Sequence, residues 1–258
     1  MAGLFLRMRR HELSAQGWYL IEPHTLGQPG TSSGTGRDNR LFVTAVFCRT
    51  RTGIVWRDLP VRFGSWNTLV RRFRCWALAG VWEALFRAGQ EPDYDWVRVD
   101  STTVKAPKAA AGQKKHGPRR MSRPQSRGFG PKVPAVVDAL SNCLHWALTS
   151  AERADCPQPP ALLAAVAQSL GAGVCDKAEA TNSVLQAIAD PGATPVIPPK
   201  SSRLDQRAHD RNLYADRNKI EIFLGCLKEA RGFATRYAKT GGSFLATAQL
   251  LAALDWRR

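Results

Sequence analysis

One short segment of the sequence carries four side chains that could act on a phosphate group: Tyr214, Arg217, Glu221 and Lys228. On a single helix over residues 210–230, these positions fall within about 60° of arc. Glu221 is then a candidate metal ligand, and Arg217 and Lys228 are candidates for contacting phosphates. The spacing fits equally well an ordinary exposed face with an i,i+4 pair between Arg217 and Glu221. An adjoining apolar stripe predicts docking on a sheet and consists of Ile220, Phe223, Leu224 and Leu227.

Three aspartates end or follow apolar runs and are further candidates. Asp100 lies in a strand-like segment of apolar character, where a buried unpaired charge would be costly. Asp100 is therefore either a metal ligand or a turn carboxylate that accepts backbone hydrogen bonds. Asp176 and Asp138 each follow a short apolar run. These apolar runs alone do not decide whether Asp138 or Asp176 lies beside Asp100 in the fold.

From residue 93 onward the pattern predicts an α/β domain. The strand predicted over 96–104 has Val97 and Val99 on one face and Arg98 with Asp100 on the other. The remaining elements follow in the order hairpin, helix, strand, helix, strand, helix, over residues 133–149, 159–170, 174–176, 181–189, 194–197 and 210–230. This order is typical of a sheet with helices packed on it.

Residues 1–92 predict a smaller helical domain. A short helix is expected over Asn39–Arg51, and a longer one begins after Ser65, which is placed to cap it. Gly80 interrupts the longer helix. The cations of this longer helix lie away from the centre of its apolar stripe. They predict a DNA-binding surface that includes Arg71, Arg72 and Arg74.

The charge of the chain indicates a polyanionic partner. Lys and Arg number 37 against 21 Asp and Glu among 258 residues, a net charge of +16. Self-repulsion of this size favours nucleic acid as the partner, ahead of an anionic membrane surface. Residues 105–132 hold nine Lys or Arg and no Asp or Glu, which predicts a long basic loop. Its candidate DNA contacts are Lys105, Lys114, Lys115, Arg119 and Arg120.

Zinc chemistry and membrane insertion are not supported by the sequence. Six cysteines and five histidines form neither a C-x-x-C pair nor an H-E-x-x-H motif, the spacings typical of zinc sites. Scattered cysteines in a chain of this length indicate buried thiols in a reducing compartment. No apolar run of about 18 residues exists that could span a bilayer.

The pattern Tyr-x2-Arg-x3-Glu-x6-Lys at residues 214–228 resembles the signature of DDE-type bacterial insertion-sequence transposases, in the group named after insertion sequence five. Other stretches resemble the same family in the right order, and the resemblance spans roughly residues 18–256. These stretches are Arg51–Pro60, Arg62–Asn67, Val99–Ala106, Val174–Ala178, Val196–Lys200 and Thr235–Thr240. Several independent motifs in one order argue against coincidence.

The resemblance implies a ribonuclease-H-like mixed sheet domain over residues 93–258, preceded by the helical DNA-binding domain over 1–92. It implies that Asp100, Asp176 and Glu221 are the catalytic residues, with Asp176 favoured over Asp138 by its Asp-Lys-Ala context. These carboxylates would hold two Mg²⁺ ions, with Mn²⁺ as a substitute. Hard cations prefer carboxylate oxygen and stabilise the charge that develops during phosphodiester cleavage.

The same resemblance implies a transposase that acts in two steps. Water attacks DNA at the ends of the element, and the freed 3′-hydroxyl then attacks target DNA. The expected partner is double-stranded DNA, bound by a homodimer at the nucleoid of the bacterial cytoplasm, with no membrane association. Tyr214, Arg217 and Lys228 of the signature join the candidate DNA contacts.

Two departures from the family pattern leave alternatives open. Glu179-Ala180 stands where Tyr-Asp is usual, and Pro131 and Pro134 intrude into a segment where the family carries Thr-Lys-Ile-His. Because proline lacks the N–H that a ladder needs, this strand is predicted to lie at an edge or to begin late. One alternative is therefore a catalytically degraded DNA-binding protein derived from a transposase. A basic RNA-associated protein, supported by charge alone, is a third hypothesis.

Overall fold

A computed structural model of the chain describes residues 12–27, 38–88, 90–104, 131–150, 158–166, 170–199, 208–216, 218–235, 238 and 240–255. The chain divides into two units. The helical unit comprises Met1–Gln90 together with Glu229–Arg258, and the sheet unit comprises Glu91–Lys228. The first boundary lies close to the predicted one. The C-terminal segment differs, because residues 229–258 group with the helical unit and not with the predicted catalytic domain.

The helices within the described residues are α1 (Ala15–Ile21), α2 (Asn39–Thr52), α3 (Trp66–Leu78), α4 (Val81–Ala88), α5 (Gln158–Ala164), α6 (Asn182–Ala189), α7 (Arg211–Ala215), α8 (Asn218–Glu229), α9 (Arg231–Ala234) and α10 (Gly241–Asp255). The strands are β1 (Trp96–Thr103), β2 (Pro131–Val137), β3 (Cys143–Trp146), β4 (Thr149–Ser150), β5 (Ala172–Cys175) and β6 (Thr194–Val196). In the described part of the chain, no helix has both the length and the apolar character to cross a bilayer.

An aromatic cluster forms the centre of the helical unit. The ring centroids of Phe42 and Trp76 lie 4.9 Å apart, and those of Trp76 and Trp82 lie 5.3 Å apart. The indole N–H of Trp82 donates to the carbonyl of Phe73 at 3.2 Å, so the buried donor is satisfied. Gly80 has φ +72° between α3 and α4, which confirms the predicted interruption, since glycine adopts this conformation without strain.

The predicted cap of α3 is only partly correct. Ser65 does occupy the N-cap position, but its hydroxyl makes no capping hydrogen bond. Its backbone carbonyl accepts the first helical bond, from Leu69 N–H at 3.1 Å. The helix therefore begins where the sequence predicts, and its position depends on the burial of Leu69, Phe73 and Trp76 rather than on the serine side chain.

Close packing explains why the C-terminal segment joins the helical unit. A Cβ added at Gly232 of α9 would lie 2.6 Å from the carbonyl oxygen of Thr50 in α2. Only glycine permits this approach. The rings of Phe233 and Phe244 stack at 5.0 Å, and both side chains are fully buried. Helix α10 contributes further to this core through Ala246 and Leu250.

The sheet unit contains one mixed sheet with the described strand order β3-β2-β1-β5-β6, and β4 also pairs with β2. Strand β1 is antiparallel to β2 and parallel to β5, and β5 is parallel to β6. The predicted mixed α/β sheet is confirmed. Gly173 of β5 lies under α6, where an added Cβ would come within 2.8 Å of the Ile188 side chain.

The expectation that the proline-bearing strand is an edge strand or begins late is wrong. Strand β2 lies between β1 and β3 and already includes Pro131, so the predicted basic loop ends before that residue. Pro134 pairs with Ser101, and its carbonyl accepts from Ala147 N–H at 3.0 Å. The N and carbonyl of a residue in an antiparallel ladder point the same way. The backbone nitrogen of Pro134, which carries no hydrogen to donate, therefore faces the gap between β3 and β4.

The prediction of one helix over 210–230 is also wrong. Helix α7 ends at Ala215 and α8 begins at Asn218. Asp210 caps α7, since its Oδ1 accepts from the N–H groups of Asn212 and Leu213 at 2.8 and 3.0 Å. Tyr214 and Glu221 therefore lie on different helices, and the single 60° stripe does not exist. The buried apolar face of α8 is as predicted.

Asp138 organises the hairpin between β2 and β3. Its fully buried carboxylate accepts from the N–H groups of Leu140 and Asn142 at 2.9 and 2.8 Å, and from the Asn142 amide at 3.1 Å. Asp93 N–H also donates to it at 3.4 Å. These bonds support Ser141, which has φ +73°. Asp138 is thus a turn carboxylate, the alternative considered above for Asp100.

Asp138→Ala is expected to lower the free energy of unfolding by about 2–4 kcal/mol, because it removes a buried carboxylate that accepts four hydrogen bonds from partly buried donors. Chemical denaturation followed by circular dichroism measures the change. Asp190→Ala, at an exposed position, is the control and should cost less than about 1 kcal/mol. Equal small losses in the two variants would contradict the structural role of Asp138.

Candidate active site

Strand pairing aligns the first two candidate carboxylates. Val99 of β1 pairs with Cys175 of the parallel strand β5. Asp100 follows Val99 on β1, and Asp176 directly follows the end of β5. A pocket at this point is lined by all three predicted acids. Its lining residues are Arg98, Val99, Asp100, Val174, Cys175, Asp176, Ile220 and Glu221. The structure therefore brings together Asp100, Asp176 and Glu221, whereas Asp138 lies in the hairpin turn.

Local hydrogen bonds orient the two aspartates. Oδ1 of Asp100 accepts from the N–H of Ser101 at 2.6 Å, and Oδ1 of Asp176 accepts from the N–H of Lys177 at 2.8 Å. The Tyr214 hydroxyl also donates to Oδ1 of Asp176 at 3.2 Å. Tyr214 was predicted as a DNA contact. In the structure it holds a carboxylate of the pocket from helix α7.

Glu221 comes to the pocket in the first turn of α8. The helix is fixed by Ile220, Phe223 and Leu224, all at most 4% exposed, while Glu221 itself is exposed. A carboxylate near a helix N-terminus is favoured by the helix dipole. Glu221 is therefore a solvent-accessible acid on a rigid support.

The donors suit a hard divalent cation in kind, because three carboxylates supply the oxygen ligands that Mg²⁺ prefers. Among the described residues, however, no group of three His, Cys, Asp or Glu side chains meets the geometry of a metal site. The pocket thus contains the right ligand types on three separate elements.

Glu179 is a buried acid that sequence reasoning treated only as a departure from the family. It lies in the 3₁₀ turn Lys177–Glu179 and is 8% exposed. Its Oε2 has no hydrogen-bond partner among the described residues. Burial, with the charges of Asp100 and Asp176, raises the pKa of Glu179 to about 7 against the opposing charge of Lys132. In the sequence, its position three residues after Asp176 is a feature that could have indicated that Glu179 lies near the pocket.

The candidate DNA contacts have different environments. Arg71 and Arg74 are exposed on α3, and Lys228 is exposed in the last turn of α8. Arg72 instead packs over the rings of Phe42 and Trp76 and donates to the side-chain oxygen of Asn39. The other candidates lie outside the described residues: Lys105, Lys114, Lys115, Arg119, Arg120 and Arg217.

Comparisons with known proteins agree with this architecture. The cryo-EM structure of the piggyBac transposase synaptic complex with hairpin DNA matches 92% of this chain and 69% of its own, with a TM-score of 0.53 and 11% identity. That likeness concerns the fold alone. Residues 91–256 match the family model described as "Transposase DDE domain", and residues 13–86 match the one described as "Putative transposase of IS4/5 family".

Sequence relatives point the same way. A Brucella ovis protein named "Putative transposase for insertion sequence element IS6501" is 33% identical over 128 residues, 49% of this chain and 98% of that one. The 16.2 kDa protein of insertion element IS402 from Burkholderia cepacia is 37% identical over 110 residues, 38% of this chain and 74% of that one. Protein y4sN of Sinorhizobium fredii is 35% identical over 107 residues, 41% of this chain and 86% of that one.

The sheet unit therefore has the ribonuclease-H-like fold that the resemblance implied. The chain belongs to the DDE transposase family, because that domain model spans well over half of its residues. Its function is that of a transposase, as the family and the insertion-sequence relatives indicate.

The raised pKa of Glu179 predicts a pH-dependent stability in metal-free buffer. Its ordinary value is 4.5 and its folded value about 7, so the folded state binds the proton more tightly. The contribution of Glu179 to the free energy of unfolding therefore falls as pH rises from about 4.5 to about 7 and is constant above that. Glu179→Gln should remove this pH dependence. As pH rises between these limits, the free energy of unfolding of the variant should rise relative to that of the native protein by on the order of 2 kcal/mol.

Urea unfolding at several pH values measures the effect. Glu83→Gln, which alters an exposed acid of α4, is the matched control and should follow the pH profile of the native protein. A Glu179→Gln profile that stays parallel to the native one would show that Glu179 ionises normally.

Proposed function

We propose that this transposase is an active Mg²⁺-dependent enzyme in which Asp100, Asp176 and Glu221 hold the divalent ions. The observation that carries the proposal is that these three carboxylates, far apart in sequence, line one pocket of the sheet unit. Apart from the carboxylates, the described residue lining the pocket whose side chain could attack as a nucleophile is Cys175, and its thiol is buried. Burial raises the pKa of that thiol well above its ordinary value, so it is a poor nucleophile.

Divalent ions bound by the carboxylates would activate water or a 3′-hydroxyl and stabilise the charge on the phosphoryl and leaving oxygens. The protein residues supply position. Ser101 and Lys177 N–H groups each donate to an aspartate oxygen, which restrains the orientation of the two carboxylates. The Tyr214 hydroxyl adds a second restraint on Asp176. Such outer partners raise metal affinity by holding ligands in one orientation.

Double-stranded DNA, at the ends of the element and at the target, is the proposed substrate. The net charge of +16 and the exposed cations of α3 favour a polyanion. The piggyBac transposase, which shares the fold, is seen as a synaptic complex with hairpin DNA. By analogy we propose that two copies of this chain act together on DNA at the bacterial nucleoid. The degraded alternative is less well supported, because all three acids are retained in one pocket.

Asp100→Asn, Asp176→Asn and Glu221→Gln should each reduce Mg²⁺-dependent nicking of a supercoiled plasmid at least about a hundredfold. The plasmid carries candidate terminal inverted repeats, and the rate is measured on agarose gels. Each variant keeps the shape of its side chain and should keep its circular dichroism spectrum and its DNA affinity. Asp190→Asn, an exposed acid outside the pocket, is the control. Undiminished nicking by all three variants would remove the carboxylates from the mechanism.

DNA affinity should depend strongly on salt, because bound phosphates release counterions. We expect a fall of about 10³-fold between about 50 and 200 mM salt. Arg71→Ala and Arg74→Ala should each lower the slope of the log–log plot by about one. Arg72→Ala should instead destabilise folding, since its guanidinium packs on Phe42 and Trp76. Fluorescence anisotropy measures the slopes, and slopes unchanged in both exposed variants would exclude α3 from the interface.

A further inference from the structure

A buried arginine lies beside the carboxylate pocket. Arg98 is two residues before Asp100 on β1 and lines the same pocket. Its side chain is 1% exposed, and its Nε, Nη1 and Nη2 atoms have no hydrogen-bond partner among the described residues. A buried charge is costly unless other groups compensate it. Something other than hydrogen bonding must therefore favour a cation at this position.

The nearest groups interact with this cation through charge and ring contact rather than through directed hydrogen bonds. Nη2 of Arg98 lies 3.7 Å from Oδ2 of Asp216, and the guanidinium lies 3.4 Å from the ring of Trp96. Asp216 also pairs with Nζ of Lys219 at 3.0 Å, and Lys219 lies over the same ring at 5.1 Å. Two cations thus share one half-exposed carboxylate, and the charge of the buried Asp138 also acts on Arg98. The guanidinium next to the pocket is therefore a buried cation that no directed hydrogen bond holds among the described residues.

The charge of Arg98 is permanent at neutral pH. Burial lowers its pKa to about 10, with the charges of Asp216 and Asp138 acting in the opposite direction. The guanidinium therefore stays protonated under all ordinary conditions. Its distance from Asp216 is too long for a strong hydrogen bond, so it does not fix the α7–α8 junction by directed bonds. Its effect on the pocket is mainly that of a fixed charge.

We propose that Arg98 is a built-in counter-cation of the carboxylate pocket, which offsets repulsion among Asp100, Asp176 and Glu221 and limits their affinity for divalent ions. This inference rests on the proposed function, in which those carboxylates bind metal. Without DNA, the fixed charge of Arg98 opposes each incoming cation. A DNA phosphate that enters the pocket adds negative charge and reverses this balance. Metal binding is thereby coupled to the presence of the substrate.

The test is Mn²⁺ binding to the full chain without DNA, measured by electron paramagnetic resonance of the free ion. Arg98→Met removes the charge and should tighten binding about three- to tenfold. Arg98→Lys keeps the charge and should stay within about twofold of the native protein. Asp216→Asn removes a negative charge from the same cluster and should weaken binding. A residue that merely positioned α8 through Asp216 would instead weaken binding in Arg98→Met and Asp216→Asn alike.

Arg49→Met is the matched control for losing a buried arginine. Arg49 is 6% exposed, lacks a partner for its Nε and lies 5.0 Å from the Trp56 ring in the helical unit. This variant should leave Mn²⁺ affinity unchanged. Binding that is unchanged or weaker in Arg98→Met overturns the inference. If Arg98→Met does not fold, tighter or much weaker binding in Arg98→Lys overturns it equally.

Asp100→Asn separates failure of this inference from failure of the proposed function. If Asp100→Asn leaves Mn²⁺ affinity unchanged, the pocket is not the metal site, and both proposals fall. If Asp100→Asn weakens binding while Arg98→Met does not tighten it, only the role of Arg98 is wrong. Tighter binding in Arg98→Met together with weaker binding in Asp100→Asn supports both.

Discussion

The parallel pairing of β1 with β5 is the constraint on which the site depends. Adjacent strands lie about 4.8 Å apart, and the register of Val99 with Cys175 makes Asp100 and Asp176 neighbours. Val97, Val99 and Val174 are at most 3% exposed, so their burial enforces this register. A slip of one residue would send one strand's side chains to the opposite face. The separation of the two carboxylates is therefore set by hydrophobic packing below them.

Carboxylates that lie close together repel one another, and several features of the sheet unit reduce that repulsion. Backbone N–H groups of Ser101 and Lys177 bind two of the carboxylates. Glu179, which is buried nearby, favours its neutral form, as its raised pKa indicates. Lys132 partly opposes this shift, and Arg98 provides a permanent positive charge. The pocket is thus a balance of opposing charges as well as a set of possible ligands.

Sequence patterns predicted the elements that depend on periodicity. The alternation around Val97 and Val99 located β1, and the apolar stripe of α8 located the helix that carries Glu221. The break before Asn218 was not predictable, because neither Asp216 nor Arg217 is a strong helix breaker. The position of β2 was missed because the cost of a proline depends on which neighbour its nitrogen faces, and only the tertiary structure determines that.

The family resemblance identified three acids that the structure brings to one pocket, but it could not identify Arg98 or Glu179. Alternation put Arg98 on the same face as Asp100, a face with no evident cover in the sequence. Its burial comes from residues far along the chain, among them Asp216. Glu179 stands where the family has tyrosine, so comparison with the pattern marked it as a loss. Its environment can be described only once β1 and β5 are paired.

The helical unit is discontinuous in sequence, since residues 229–258 complete a core begun by residues before 91. During synthesis, the whole sheet unit leaves the ribosome before Phe233, Phe244 and Leu250 can reach their places. Until then, the apolar surface of α3 and α4 that packs against α10 stays uncovered. A copy of the gene interrupted late in its reading frame would encode a complete sheet unit beside an unfinished helical one. Such a product would bind neighbours through that uncovered surface, a hazard that contiguous domains avoid.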